Sequence, residues 1–235
     1  MNFEDFNFDS YLTDRATLYA FMSGLFSECL RYDVIQVIPH ILKGFEGISK
    51  NIEHKKALIE SAENVDKWLV GKLSQKDSEE LCLELAREHT SYFVLGRFNI
   101  PDNASATLSI KKLIKRDEWK NCKKFYHQHG YILKKNSGKL EDSFEVQCRF
   151  MEMLIRKAQN VKEIPEFLTL METQLEFLNM HMLNWVRLFG KKLKDSTEKE
   201  SIYNYLSVFP ALIIDLDKQG ISELLEEFWI EETAE

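Results

Sequence analysis

One stretch, Phe144 to Ile155, restricts what this chain can fold into more than any other. On a helix of ~100° per residue, Phe144, Cys148, Met151 and Ile155 fall on one side and Val146, Phe150 and Met153 on nearly the opposite side. Between them lies only a narrow charged strip of Glu145, Arg149, Glu152 and Arg156. A helix that is apolar on two flanks has to be covered by neighbours on both, so the spacing predicts the central helix of a helical fold. The strip itself reads as two i,i+4 ion pairs, Glu145 with Arg149 and Glu152 with Arg156.

Composition agrees with a helical class. With 9 Gly and 4 Pro in 235 residues, the chain lacks the punctuation that many short strands need, which counts against an all-β sandwich or barrel. A hydrophobic content of 44% supplies a core for one large domain or two small ones. The formal charge of -7 counts against a general nucleic-acid-binding role, because neutralising phosphates takes clustered Lys and Arg. A basic partner suits it better. Cys29, Cys82, Cys122 and Cys148 have no CxxC or zinc-like spacing and read as free buried thiols of a reducing compartment. The opening Met1-Asn2-Phe3-Glu4-Asp5-Phe6 is acidic where a signal peptide is basic, and no apolar run approaches the ~20 residues of a membrane span. The expectation is a cytoplasmic protein without stable membrane insertion.

Taken in order, the periodicity predicts a helix from Asp14 to Leu30 with Leu18, Met22, Leu25, Phe26 and Cys29 on one face. A weaker helix, Tyr32 to Phe45, is interrupted by Pro39 and closed by Gly44 and Gly47, and a longer polar one runs from Ile52 to Leu73. Ser78 is placed to cap a helix carrying Leu81, Leu85, His89, Tyr92 and Phe93 to Leu95, stopped by Gly96. Arg97 to Ser109 has no sustained periodicity and reads as a loop joining an N-terminal half, residues 1–96, to a C-terminal half, residues 110–235. A short helix from Asp117 to His129, a basic loop from Lys134 to Lys139 and the central helix follow. A helix from Pro165 to Phe189 before Gly190, one from Thr197 to Asp217 kinked at Pro210, and one from Ile221 to Ile230 complete the chain. This describes one all-α globular domain of about nine to eleven helices.

Motifs for catalysis, metals and cofactors are absent. None of His40, His54, His89, His127, His129 and His181 follows a Glu at the Glu-x-x-His spacing of di-iron bundles. Gly71-Lys72, Gly138-Lys139 and Gly190-Lys191 lack the earlier glycine of a P-loop, and no G-x-S-x-G elbow or dinucleotide fingerprint occurs. No catalytic residue, metal ligand or cofactor is assigned. His181 lies on an apolar helix face and reads first as a core histidine. Asp142, with Glu145 three residues on, reads as the N-cap of a capping-box-like start to the central helix, with or without a ligand contact. Tyr92 and Phe93 read first as core.

Several segments, in this order, resemble one family: His89-Thr90-Ser91-Tyr92-Phe93, the small run Ala104-Ser105-Ala106, and Lys124-Phe125-Tyr126 followed by Gly130. Next come Glu141-Asp142-Ser143 leading to Arg149-Phe150-Met151-Glu152-Met153-Leu154, and Phe177-Leu178-x-x-His181-x-x-x-Trp185. The pattern resembles the TorD/DmsD/NarJ group of cytoplasmic redox-enzyme maturation chaperones for molybdenum enzymes. The departures are Glu141 for the family's proline, Ser143 for its histidine and His89 for its first aromatic. With Ser143 in place of histidine, no pH-dependent release carries over to that position.

The resemblance implies a TorD-like helical chaperone rather than an enzyme. It would bind the twin-arginine signal peptide, the apo form of a molybdopterin-dependent oxidoreductase, or both, assisting cofactor insertion and proofreading before export. Such a peptide offers two guanidiniums and then an apolar run, so its receptor needs carboxylates beside an apolar surface. On that reading Asp142 and Glu141 meet the arginines beside Ser143, while Tyr92, Phe93, His89 and the 97–109 loop line the apolar part, with His181 in the last matching segment. The loop is long enough to let protomers exchange helices, giving a monomer or a domain-swapped dimer. Two rivals differ in class. A ligand-binding or regulatory module would carry a basic helix-turn-helix near one end, and Asp14 to Phe45 has too few Lys and Arg for that. A helical enzyme would need a ligand histidine or an Asp-rich pair facing a cavity.

Overall fold

Helices form where the apolar period is sustained, and their ends fall where a side chain can accept the first free backbone amides. A computed structural model describes residues 8–26, 30–44, 52–95, 100–134 and 136–234. These residues fold as α1 (Phe8–Leu25), α2 (Tyr32–Gly44), α3 (Ile52–Leu73), α4 (Ser78–His89), α5 (Ala104–Leu108), α6 (Asp117–Gln128), α7 (Phe144–Gln159), α8 (Ile164–Phe177), α9 (Val186–Ser196), α10 (Ile202–Tyr205) and α11 (Phe209–Ala234). Among the described residues there is no strand, only an isolated antiparallel bridge between Asn103 and Ser143. The fold is all-α. No helix among the described residues is long and apolar enough to cross a membrane.

The central helix is built as its pattern requires. Phe144, Val146, Cys148, Phe150, Met151, Leu154 and Ile155 of α7 are all buried, on both flanks, while Met153 at the end of the second flank is half-buried. Its charged strip makes the two expected pairs, Arg149 to Glu145 at 2.9 Å and Arg156 to Glu152 at 2.8 Å. The bounds of α3 match the sequence reading, and Leu58, Val65, Trp68 and Leu69 are buried on it. Cys29, Phe45, Gly47, Gly96 and Arg97, which the reading used as face or boundary markers, lie outside the described residues.

Elsewhere the structure corrects the boundaries. The cap of α4 is Asp77, not Ser78: its carboxylate accepts the amides of Glu79 and Glu80, both at 2.9 Å. The expected loop from Arg97 to Ser109 contains a helix, α5, capped by Asn103 through the amide of Ala106. The expected helix from Pro165 to Phe189 is two helices. After α8 the chain takes a π-helical turn over Leu178–Met182, closed by Leu183 N donating to Leu178 O at 2.9 Å, before α9 begins. A second π-helical turn, Thr90–Val94, follows α4. Pro210 kinks nothing. It sits in the first turn of α11, where its missing amide has no intrahelical partner to lose.

The described chain divides into two compact units, Met1–Ser23 with Asn103–Asn184 and Ile214–Glu235, and Gly24–Asp102 with Trp185–Ile213. Neither is a continuous half of the sequence. In the first, α7 packs along α8; in the second, α2 packs along α3, and α9 packs against the short turns that follow it.

Gly190 shows why α9 runs through a glycine instead of stopping there. A Cβ at this position would lie 2.5 Å from the backbone oxygen of Ser207. Alanine gains about 1 kcal/mol of helix propensity over glycine, but overpacking against a fixed carbonyl costs about 1–3 kcal/mol. Gly190→Ala is therefore expected to lower stability, and Gly190→Val to lower it further. Urea unfolding that shows Gly190→Ala to be more stable than the parent would refute this close approach.

Candidate functional site

The segment Glu141-Asp142-Ser143 enters α7 at a corner where three pieces of the first unit meet. Ser143, not Asp142, is the N-cap of α7, its hydroxyl accepting the amide of Val146 at 3.4 Å. The capping role read for Asp142 is thus taken by the next residue. This leaves the Asp142 carboxylate to turn towards α5, where Oδ2 accepts the Ser105 amide at 2.8 Å. The backbone oxygen of Asp142 accepts the amide of Ala104 at 3.0 Å. Asp142 is 0% exposed. Burial pushes its carboxyl above the usual aspartate range, while hydrogen bonds from the Ser105 side chain and backbone hold it down.

Glu141 faces the other way, onto α6. Its carboxylate accepts the indole N–H of Trp119 and lies 3.5 Å from Lys123 Nζ, leaving the side chain 13% exposed. Its backbone oxygen accepts the Tyr126 hydroxyl at 2.8 Å. Both acidic groups of the corner therefore already hold protein donors.

His181 belongs to the same unit and sits in its aromatic core. The ring lies 5.2 Å from Phe125 and 5.1 Å from Phe177, and the residue is 5% exposed. Its backbone oxygen, in the π-helical turn, accepts Gln147 Nε2 from α7 at 3.0 Å. Burial lowers its pKa to about 4, so the imidazole is neutral at physiological pH.

His89, Tyr92 and Phe93 lie in the second unit, around Tyr203. Phe93 packs against the Tyr203 ring at 5.3 Å, Tyr92 at 5.9 Å and His89 at 6.4 Å. Tyr92 is buried and its hydroxyl oxygen accepts the Glu198 amide at 3.3 Å; Phe93 is half-buried, and beyond it Val94 and Leu95 are exposed. The residues nominated from the sequence thus form two groups, Glu141, Asp142, Ser143 and His181 in one unit and His89, Tyr92 and Phe93 in the other.

The sequence reading missed a cleft of about 470 Å³ in the first unit. Phe8 and Leu12 of α1, Val161, Ile164 and Phe167 around the start of α8, and Phe228 of α11 wall it; among the described residues Asp9 and Glu163 are its carboxylates and Lys162 its cation. The three phenylalanine rings touch one another, at 5.7 Å for Phe8 and Phe167 and 6.2 Å for Phe8 and Phe228. A signal existed: Ile164 is an apolar residue just before a helix-starting proline, and it is exposed. Phe8, however, precedes the expected start of the first helix, so its face was not read.

A buried network holds the three helices that wall this cleft. Arg15 of α1 meets Asp217 of α11 in a two-point contact, Nε to Oδ1 at 2.6 Å and NH2 to Oδ2 at 3.0 Å. The same guanidinium donates to Gln174 of α8 at 2.7 Å, and the Tyr19 hydroxyl donates to Asp217 at 2.8 Å. Burial alone would lower the Arg15 pKa, but the Asp217 carboxylate outweighs it and keeps the guanidinium charged. Among the described residues, no group of three or more His, Cys, Asp or Glu is placed to hold a metal ion.

The family model described as nitrate reductase delta subunit matches residues 53–190. Proteins named chaperone protein TorD, from an Ogawa and from an El Tor Inaba strain of Vibrio cholerae serotype O1, are each 20% identical over 221 residues, covering 91% of this chain and 94% of theirs. No solved structure matches.

Two predictions follow from the corner and from the histidine. Asp142→Ala leaves the Ser105 amide buried without its acceptor and is expected to cost about 1–3 kcal/mol in urea unfolding. Asp142→Asn keeps an acceptor and removes a charge that burial opposes, so it should lie closer to the parent than Asp142→Ala. The reverse order would refute the arrangement. For His181, the folded pKa lies below the unfolded one, so the stability it allows is complete above about pH 6.5 and is lost as pH falls towards 4. Between pH 7 and pH 5 the loss should be about 2 kcal/mol, and His181→Gln should flatten that slope. An unchanged slope in the variant would count against a buried neutral imidazole.

Proposed function

As the chain belongs to the TorD-like nitrate reductase delta subunit family of chaperones, we propose that it holds a molybdopterin-dependent oxidoreductase subunit in the cytoplasm until cofactor is inserted. In this reading it recognises the twin-arginine signal peptide of that subunit, its apo form, or both, and so delays export. The observation that carries the proposal is the family match, which spans more than half the chain and includes α3 to α8 and the Glu141-Asp142-Ser143 corner.

Physical chemistry supports a leader-binding role in the first unit. Two guanidiniums followed by an apolar run need carboxylates beside apolar wall. The Phe8–Phe167–Phe228 cleft, with Asp9 and Glu163 lining it, supplies that combination, and the overall acidity of the chain favours a basic ligand. In this proposal the cleft takes the apolar run and its carboxylates meet the arginines. Glu141, which solvent still reaches, is a further acidic contact. Asp142 and Ser143 act by ordering the corner, and the half-buried His89 and Phe93, supported by the buried Tyr92, belong to an apolar surface that the exposed Val94 and Leu95 extend.

The test is titration of the purified chain with a peptide of two adjacent arginines and an apolar run, followed by fluorescence anisotropy at low salt. Saturable binding is expected, weakened about tenfold by Asp9→Asn with Glu163→Gln, as removal of charge-assisted contacts implies, and weakened by Ile164→Asp. Binding that all these variants leave unchanged would remove the cleft from the proposal. Absence of peptide binding, together with recovery of no oxidoreductase on the chain from native extract, would remove the chaperone reading itself.

A further inference from the structure

Between α5 and α6 the chain presents seven consecutive exposed residues, Ile110-Lys111-Lys112-Leu113-Ile114-Lys115-Arg116. Three are large aliphatics at 102%, 44% and 54% exposure for Ile110, Leu113 and Ile114. The other four are cations, and no Asp or Glu occurs between Asp102 and Asp117. The balance is opposite to that of the chain. Residues 110–139 hold ten of its 31 Lys and Arg but only two of its 38 Asp and Glu.

The loop is held in shape at its base. Lys112 N donates to Ser109 O at 3.0 Å, and Arg116 N donates to Ser105 Oγ at 3.2 Å. Lys112 and Lys115 both adopt positive φ, 51° and 57°, a left-handed conformation that non-glycine residues take at a cost. Three large aliphatics are thus left in water among four cations within seven residues, the composition of a docking element.

We propose that residues 110–116 dock the protein on the surface of an anionic lipid bilayer, with Ile110, Leu113 and Ile114 entering the acyl boundary and the four cations at the level of the lipid phosphates. Charge complementarity and shape select this occupant. A protein partner needs a groove matched to protruding side chains, whereas a bilayer interface accepts them in any arrangement, provided that cations flank them. Lysine and arginine near an anionic surface each add attraction within a Debye length. The acidic remainder of the chain is repelled by the same surface, which orients the contact on this loop.

Flotation of the full chain with vesicles tests this. The parent should float with vesicles of equal parts phosphatidylglycerol and phosphatidylcholine and stay behind with phosphatidylcholine alone, and high salt should release it. Lys111→Gln with Lys115→Gln should lower partitioning about thirtyfold. The triple change Ile110→Ser, Leu113→Ser and Ile114→Ser should lower it on the order of tenfold or more. All these positions are exposed, so the unfolding midpoint of each variant should match the parent. Three outcomes overturn the proposal. One is no flotation of the parent with anionic vesicles. Another is parent-like flotation of the serine triple variant, which would leave only a generic anion-binding patch. The last is poly-glutamate binding that exceeds vesicle binding and ignores the serine changes, which would assign the loop to an acidic polypeptide.

Discussion

A buried carboxylate organises what lies around it, and Asp142 fixes a corner through one of its two oxygens. Its Oδ2 and its backbone carbonyl take the amides of Ser105 and Ala104, so α5 is tied to the start of α7, while Oδ1 is buried without a hydrogen-bond partner among the described residues. Ser105 in turn accepts the amide of Arg116 and sets the root of the basic loop. On either side of Asp142, Glu141 holds Trp119 and Tyr126 of α6, and Ser143 caps α7. Leaving any of these buried donors or acceptors unmet costs about as much as one ordinary hydrogen bond stabilises, or more. Apart from Asp142 Oδ1, the carboxylates and hydroxyl of the corner are committed to protein partners.

The Arg15–Asp217 pair is the corresponding constraint for the cleft. Taking two charges out of water is expensive, and the pair offsets that expense only because Gln174 and Tyr19 complete its hydrogen bonds. Removing one partner of such a pair typically costs 3–5 kcal/mol, since the other charge is left buried. The pair joins residues 202 apart in sequence. Phe8 and Leu12 lie on the same helix as Arg15, Phe167 on that of Gln174 and Phe228 on that of Asp217, so the network sets where the three aromatic walls stand.

Charge is distributed unevenly along this chain, and the distribution has a physical use. The cleft carries two carboxylates and one lysine, while the exposed loop before α6 carries four cations and no acid. In the two proposals, a basic, apolar leader meets the first and an anionic surface meets the second.

The sequence by itself determined the helical class, the bounds of α3, the burial of both flanks of α7 and the Glu145–Arg149 and Glu152–Arg156 pairs. All of these follow from i,i+3 and i,i+4 spacing, which is a property of the chain within a few residues of itself. Tertiary structure alone decided the rest. Asp142 and Ser143 both suit an N-cap, and the choice fell to Ser143 because α5 brings the Ser105 amide to the aspartate. Pro210 reads as a kink or a first turn depending on where α11 begins, and Gly190 as a stop or a packing contact depending on whether Ser207 lies against it. The π-helical turns at Tyr92 and His181, the Arg15–Asp217 pair and the Phe8–Phe167–Phe228 cleft each depend on partners distant in sequence. Periodicity states which side of a helix is apolar; only the arrival of a neighbour settles what that side touches.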